Sequence, residues 1–171
     1  MSKIKRWVPV AAAAMLVLAG CAGQQYVPPP DGAAGVATAT FRAASRMNSS
    51  LQVMQFDKRG CYQGHTDVPR EGSKAPLRMV PGQERFFTMR AESTRDVCSV
   101  VVSFTPEPDA RYRLVELKDF PNGVLGVQTC GIRIERDSED AAPFSIDARE
   151  WSMRQAGMKC FRAVPWGGPL R

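Results

Sequence analysis

The chain has 171 residues, of which 44% are hydrophobic and 23% charged, and a formal net charge of +6 at pH 7. That length supports one domain with a single core rather than two. Lys3, Lys5 and Arg6 carry half of the basic surplus, and without them the charge falls to +3, which argues against a nucleic-acid partner held by bulk charge.

Those three cations precede an apolar run over residues 8–18 that is broken only by Pro9. The run is far shorter than the roughly 20 residues a spanning helix needs, and a charged stretch followed by a short apolar one is the pattern of an export signal. Ala11 to Ala14 offer a small-residue cleavage site inside the run, but the better site is Leu18-Ala19-Gly20-Cys21. These four residues resemble the lipobox of bacterial lipoproteins: apolar, small, small, cysteine. The resemblance implies that residues 1–20 are a removed signal peptide and that the thiol of Cys21 carries the lipid. An ordinary signal peptide with a structural Cys21 would instead leave an odd thiol in an oxidising compartment. In the same class the next residue influences sorting, and Ala22 is not the aspartate that typically retains lipoproteins at the inner membrane. The implied location is the outer membrane, facing the periplasm. Several acyl chains on one residue would make that anchoring lasting.

Residues 21–35 follow, with Pro28-Pro29-Pro30-Asp31-Gly32 at their centre. Consecutive prolines favour an extended polyproline segment, so this stretch reads as a tether of at most about 40 Å at ~3 Å per residue, with the domain over 36–171.

Period-two alternation and β-branched or aromatic content predict strands over 36–42, 51–58, 85–91, 97–105, 111–118, 124–136 and 158–164. Turn signals separate them at Lys58-Arg59-Gly60, Val80-Pro81-Gly82, Pro106-Glu107-Pro108-Asp109 and Pro121-Asn122-Gly123. In 97–105, Cys98, Val100, Val102 and Phe104 share one face, the stripe of a half-buried strand. The regular spacing predicts an all-β fold, a two-sheet antiparallel β-sandwich, with a small β-barrel as the alternative. One short helix is expected near 147–157, where Asp147 and Glu150 have the spacing of a capping box and Gly157 supplies a stop, although Trp151 and Met153 alternate as a strand would. The stretch from Phe104 to Tyr112, flanked by Cys98 and Cys130, resembles one in small uncharacterised bacterial lipoproteins with immunoglobulin-like β-sandwiches. That pattern has a glycine shortly before the tyrosine, where this chain has Asp109-Ala110. The resemblance implies a fold and no activity.

Cys61, Cys98, Cys130 and Cys160 make an even set, read as two disulfides in an oxidising compartment. A zinc site fails on spacing, because no C-x-x-C occurs and His65 is the only histidine. Of the three pairings, Cys61 with Cys98 and Cys130 with Cys160 is favoured, each closing a moderate loop worth about 3 to 4 kcal/mol.

Chemistry is sparse. His65, in Cys61-Tyr62-Gln63-Gly64-His65-Thr66-Asp67, is the only candidate base for a nucleophile, no Gly-x-Ser-x-Gly elbow occurs, and a solvent-exposed loop histidine is the simpler reading. Asp137-Ser138-Glu139-Asp140 lacks the alternating ligands and glycine of a calcium loop. Asp147 and Glu150 are better explained as capping residues than as a glycosidase pair. Cys61 and Cys98 lack the close spacing of a redox dithiol. Trp151, Phe161 and Trp166 are candidates for a sugar or peptidoglycan groove, and Trp166 stands in the irregular tail. The expected function is therefore a noncatalytic binding or structural module, without a cofactor, tethered to the membrane by lipid and serving an envelope protein partner, with Trp166 and His65 as candidate binding residues. The alternative is a periplasmic enzyme inhibitor of the lysozyme-inhibitor kind, although a domain at +3 lacks the acidic face that would steer it to a basic lysozyme.

Overall fold

The computed structural model describes residues 25–44, 48–92, 97–119, 129–137 and 142–166, so Cys21, the leader, the acidic run after Asp137 and the tail beyond Trp166 lie outside the described residues. The described chain is all β. It runs β1 (Ala37–Arg42), β2 (Asn48–Phe56), β3 (Tyr62–Asp67), β4 (Leu77–Met79), β5 (Arg85–Glu92), β6 (Val97–Phe104), β7 (Arg111–Asp119), β8 (Thr129–Arg136), β9 (Phe144–Ile146), β10 (Arg149–Gln155) and β11 (Phe161–Pro165).

Two sheets pack face to face as a β-sandwich. One has five strands in the order β4-β1-β7-β8-β9, the other six in the order β11-β10-β6-β5-β2-β3. The pairing is antiparallel throughout except for β1 with β7, which run parallel with Thr40 opposite Arg113. The expected antiparallel β-sandwich is present, with that one parallel pair within it. β1 and β7 are far enough apart in sequence for the long crossover that a parallel pair requires.

The core follows from alternation. Phe41 on β1, Leu51 and Val53 on β2, Phe87 and Met89 on β5, Val102 and Phe104 on β6, Leu114 on β7 and Ile134 on β8 point between the sheets and are buried. Each such side chain is worth about 1.5 to 3 kcal/mol on burial. The Phe87 and Phe104 rings stack at 5.5 Å, and the Tyr112 ring meets Phe104 edge-on at 4.9 Å. The Tyr112 hydroxyl accepts a hydrogen bond from the Glu107 N–H at 2.9 Å, which fastens the turn between β6 and β7 to the core. In that turn Asp109 has φ 57°, the left-handed backbone that glycine adopts most readily.

The expected tether does not hold over residues 25–35. Tyr26 is 7% exposed. Its N–H donates to Thr66 Oγ1 at 2.8 Å on β3, and its hydroxyl donates to the Arg78 carbonyl at 2.8 Å on β4. The Arg85 guanidinium lies over the ring at 5.4 Å, Pro29 is buried, and Arg78 donates to the Pro30 carbonyl at 2.6 Å and pairs with Asp31. Tyr26, with an apolar body and two satisfied polar ends, offsets part of the entropy of ordering the segment, and buried Pro29 and the Arg78 contacts add to that offset.

The helix expected near 147–157 is absent, and residues 149–155 form β10 instead. Trp151 lies opposite Val101 in β6, and tertiary packing of that indole overrides the local capping pattern of Asp147 and Glu150.

The favoured cysteine pairing is also corrected: Cys61 bonds Cys160, and Cys98 bonds Cys130. Strand order is the reason. Cys61 leads into β3 and Cys98 sits in β6, with β2 and β5 between them, so about 14 Å of sheet separates what a disulfide must bring within about 7 Å. Cys130 lies in the five-stranded sheet, and its bond to Cys98 ties the two sheets together.

Candidate functional site

The six-stranded sheet turns one face to the core and the other outward, and the outward face is aromatic. The Phe86 and Phe56 rings are 5.1 Å apart, Phe56 meets Tyr62 at 6.1 Å, and Phe86 meets Trp151 at 5.1 Å. Phe86 and Trp151 stand on β5 and β10 with β6 between them, a separation of about 9.6 Å in a flat sheet. The rings therefore converge over a curled, concave surface. Beneath them Ser103 is fully buried. The Trp151 indole N–H donates to Ser103 Oγ at 2.7 Å, and that hydroxyl donates to Glu84 Oε1 at 2.7 Å. A larger residue at 103 would push the rings apart.

His65 is on strand β3 rather than in a loop. It is exposed, lies opposite Met54 in β2, and stacks on the Tyr62 ring, whose hydroxyl meets its Nδ1. Burial raises the Tyr62 phenol above its ordinary range. Asp67, the carboxylate that would orient a catalytic histidine, accepts instead from Gln52 Nε2 at 3.0 Å. Among the described residues no hydrogen bond joins His65 to a serine, threonine, cysteine or carboxylate, so the sequence neighbourhood of His65 does not become a Ser/Cys-His-Asp triad in space. Nearby, Asp57 accepts from the N–H groups of Cys61 at 2.9 Å and Arg59 at 2.8 Å. The Cys61 amide first, then Arg59, holds the Asp57 carboxyl below the usual carboxylate range.

Trp166 and Trp151 flank a groove of about 520 Å³ between β6 and β10, with Thr88, Ser99, Val101 and Met153 in its walls and Cys130 and Glu150 at its margin. Its origin is the register. The β6–β10 ladder stops at Val101 opposite Trp151, although β6 stays paired with β5 down to Val97 and β10 stays paired with β11 out to Gln155. The strands part, and the groove occupies the gap. The Trp166 N–H donates to the Glu150 carbonyl at 3.1 Å while its side chain is 72% exposed. Phe161, the third aromatic expected here, is exposed on β11 and does not line the groove.

Among the described residues no group of three or more histidines, cysteines, aspartates or glutamates is placed to hold a metal ion, and no helix is long and apolar enough to cross a membrane. Phe56, Phe86 and Ser103 were not singled out from the sequence. The signal for them is Phe86-Phe87: adjacent aromatics in a strand point to opposite faces, so both faces must be covered. Comparison with family models, with curated proteins and with solved structures returns no match.

Proposed function

We propose that the chain is the precursor of a bacterial lipoprotein, lipidated at Cys21 and held at the outer membrane facing the periplasm, and that its β-sandwich is a noncatalytic binding module for an envelope protein. The observation that carries the binding reading is the groove between β6 and β10, flanked by two indoles and open where the ladder between the two strands ends. Support for the anchor comes from Leu18-Ala19-Gly20-Cys21 at the end of the leader and from two disulfides, which suit an oxidising compartment.

Docking of Tyr26 adds a consequence. From Cys21 to Tyr26 the chain reaches at most about 17 Å, and a domain of this size has a radius of gyration of about 14 Å. A lipid at Cys21 then keeps the surface around Tyr26 against the bilayer instead of letting the domain range on a long leash.

Two experiments test the reading in intact cells. Cys21→Ser should abolish labelling by a radioactive fatty acid and release the protein from membranes, and unchanged membrane retention would sink the anchor. A photocrosslinker placed at Trp166 should capture one stoichiometric envelope protein. Capture from a distant exposed position such as Lys74, with none from 166, would move the binding site elsewhere.

A further inference from the structure

The groove between β6 and β10 is distinguished by its place where the ladder between two neighbouring strands ends. Near Phe144, Arg136 is paired with Glu107. Near His65, Asp67 is held by Gln52. Near Arg70, Arg90 is paired with Glu92. In the β6–β10 groove the side-chain hydroxyls of Thr88, Ser99 and Ser152 make no hydrogen bond with any described residue. Its walls also contain consecutive residues of each strand, Ser99-Val100-Val101 from β6 and Trp151-Ser152-Met153 from β10. Consecutive strand residues belong to opposite faces, so the groove is a slot through the sheet and not a dent in one face. Val100, on the core side, still packs against the interior.

Beside that slot the facing strand edges carry no ladder among the described residues. Residues 97–99 of β6 and 153–155 of β10 have a ladder on one side only, and no other backbone hydrogen bond reaches them among the described residues. Inside a sheet that is unusual, because strand edges are otherwise paired or covered. An open edge selects ligands that bring alternating N–H and C=O groups at strand spacing, which is what an extended polypeptide carries and a sugar or a lipid does not. Among the described residues the only charged side chain in the walls is Glu150, and none of them that lines the slot is a cation, so an acidic ligand is disfavoured. Met153 and the exposed Trp166 offer an adaptable thioether and a flat ring to an apolar side chain.

We infer that the slot between β6 and β10 takes an extended, neutral or basic peptide segment of a partner protein as an added strand, with an apolar side chain seated against Trp166. The inference deepens the binding-module reading and names the partner's chemistry. It does not depend on the lipid at Cys21, so the two can fail separately.

The test uses the mature protein purified from membranes and a library of short random peptides displayed on phage. Enriched sequences should alternate apolar residues and avoid Asp and Glu. A synthesised winner should protect the amides of 97–99 and 153–155 from hydrogen exchange. Methylating its backbone nitrogens at alternate positions should weaken binding about tenfold or more while the side chains stay the same. Trp166→Ala, on an exposed side chain, should weaken the unmethylated peptide also. The inference is overturned if no peptide is enriched, if methylation changes nothing, if the protected amides lie elsewhere, or if neutral chito-oligosaccharides bind the slot and the peptides do not.

Discussion

Cys61 and Cys160 each stand one residue ahead of an outermost strand of the same six-stranded sheet, β3 and β11, and a disulfide joins them with their Cα atoms 5.0 Å apart. In a flat sheet those edges would lie about 24 Å apart. The bond therefore fastens a sheet curled into half a barrel, with the Phe56, Phe86 and Trp151 rings inside the curl. Its loop spans 99 residues against 32 for Cys98–Cys130. Chain entropy assigns the first about 4.7 kcal/mol and the second about 3.7 kcal/mol. Replacing Cys61 and Cys160 together by serine should lower the denaturation free energy by several kcal/mol and expose Trp151, read as a shift in its fluorescence. Peptide mapping without reduction should recover Cys61 with Cys160 and Cys98 with Cys130, and a Cys61–Cys98 peptide would contradict this arrangement.

Tyr26 fastens the N-terminal segment, so Tyr26→Ala should cost about 2 to 3 kcal/mol and open residues 25–35 to proteases that leave the native protein uncut at this point. Tyr26→Phe keeps the ring and loses only the bond to the Arg78 carbonyl, a change of about 1 kcal/mol at neutral pH. Burial, the larger influence, raises the Tyr26 phenol above its ordinary 10.0, and the nearby Arg85 opposes it only in part. The unfolded chain thus loses its proton before the folded one. The stability tied to this group is complete below about pH 10 and falls as pH rises toward the folded value. Denaturation followed from pH 8 to 11 should show a smaller alkaline loss in Tyr26→Phe than in the native protein, with Tyr62 contributing the remainder.

Asp109 holds a left-handed backbone that glycine adopts without strain. For other residues that conformation costs about 1 to 2 kcal/mol, partly offset because glycine loses more entropy on folding. No side-chain hydrogen bond or ion pair of Asp109 opposes the change among the described residues. Asp109→Gly should leave stability unchanged or raise it by up to about 1 kcal/mol, measured by thermal unfolding. A loss greater than 1 kcal/mol would mean that the carboxylate anchors the turn.

Much of the fold was legible because burial on one face writes period two into β1, β2, β5, β6 and β7, whose apolar residues alternate with Thr, Gln, Arg and Ser. The rest was hidden for physical reasons. β3 reads Tyr-Gln-Gly-His-Thr-Asp, a polar edge strand with Gly64 at φ 151° opposite an irregular register at Gln55, so no stripe marks it. β4 and β9 are three residues each and too short for a pattern. β10 carries Trp151 and Met153 in alternation, but Asp147 and Glu150 imitate a helix start. The disulfide pairing depends on strand order, which loop length does not encode. Trp166 was visible as a candidate from its place in a Pro/Gly tail, whereas the slot beside it exists only because the β6–β10 ladder stops at Trp151, and a ladder's end has no signature in one strand's sequence.

Glu71 joins β1 to β7 by accepting from both Arg42 and Arg113, at 2.5 Å and 3.0 Å. Arg42, by hydrogen bonding first and by charge second, holds the Glu71 carboxyl below its usual range. Its contribution is therefore present above that usual range and is lost as pH falls through the lowered value. The group is mostly solvent-facing, so Glu71→Gln should cost no more than about 1 kcal/mol, and the difference should shrink in high salt. An effect that persists in molar salt would mean that packing, not charge, joins the parallel pair.

The proposed anchor at Cys21 would give the domain its place, and mass spectrometry of the mature N-terminus tests it most directly. Trypsin should release residues 21–42 as one peptide, since no lysine or arginine occurs between Cys21 and Arg42. The expected result is a peptide that begins at Cys21 and carries the mass of a diacylglyceryl group, with or without a third acyl chain. A peptide that begins elsewhere, or a Cys21 with a free thiol in membrane-bound protein, would contradict the account.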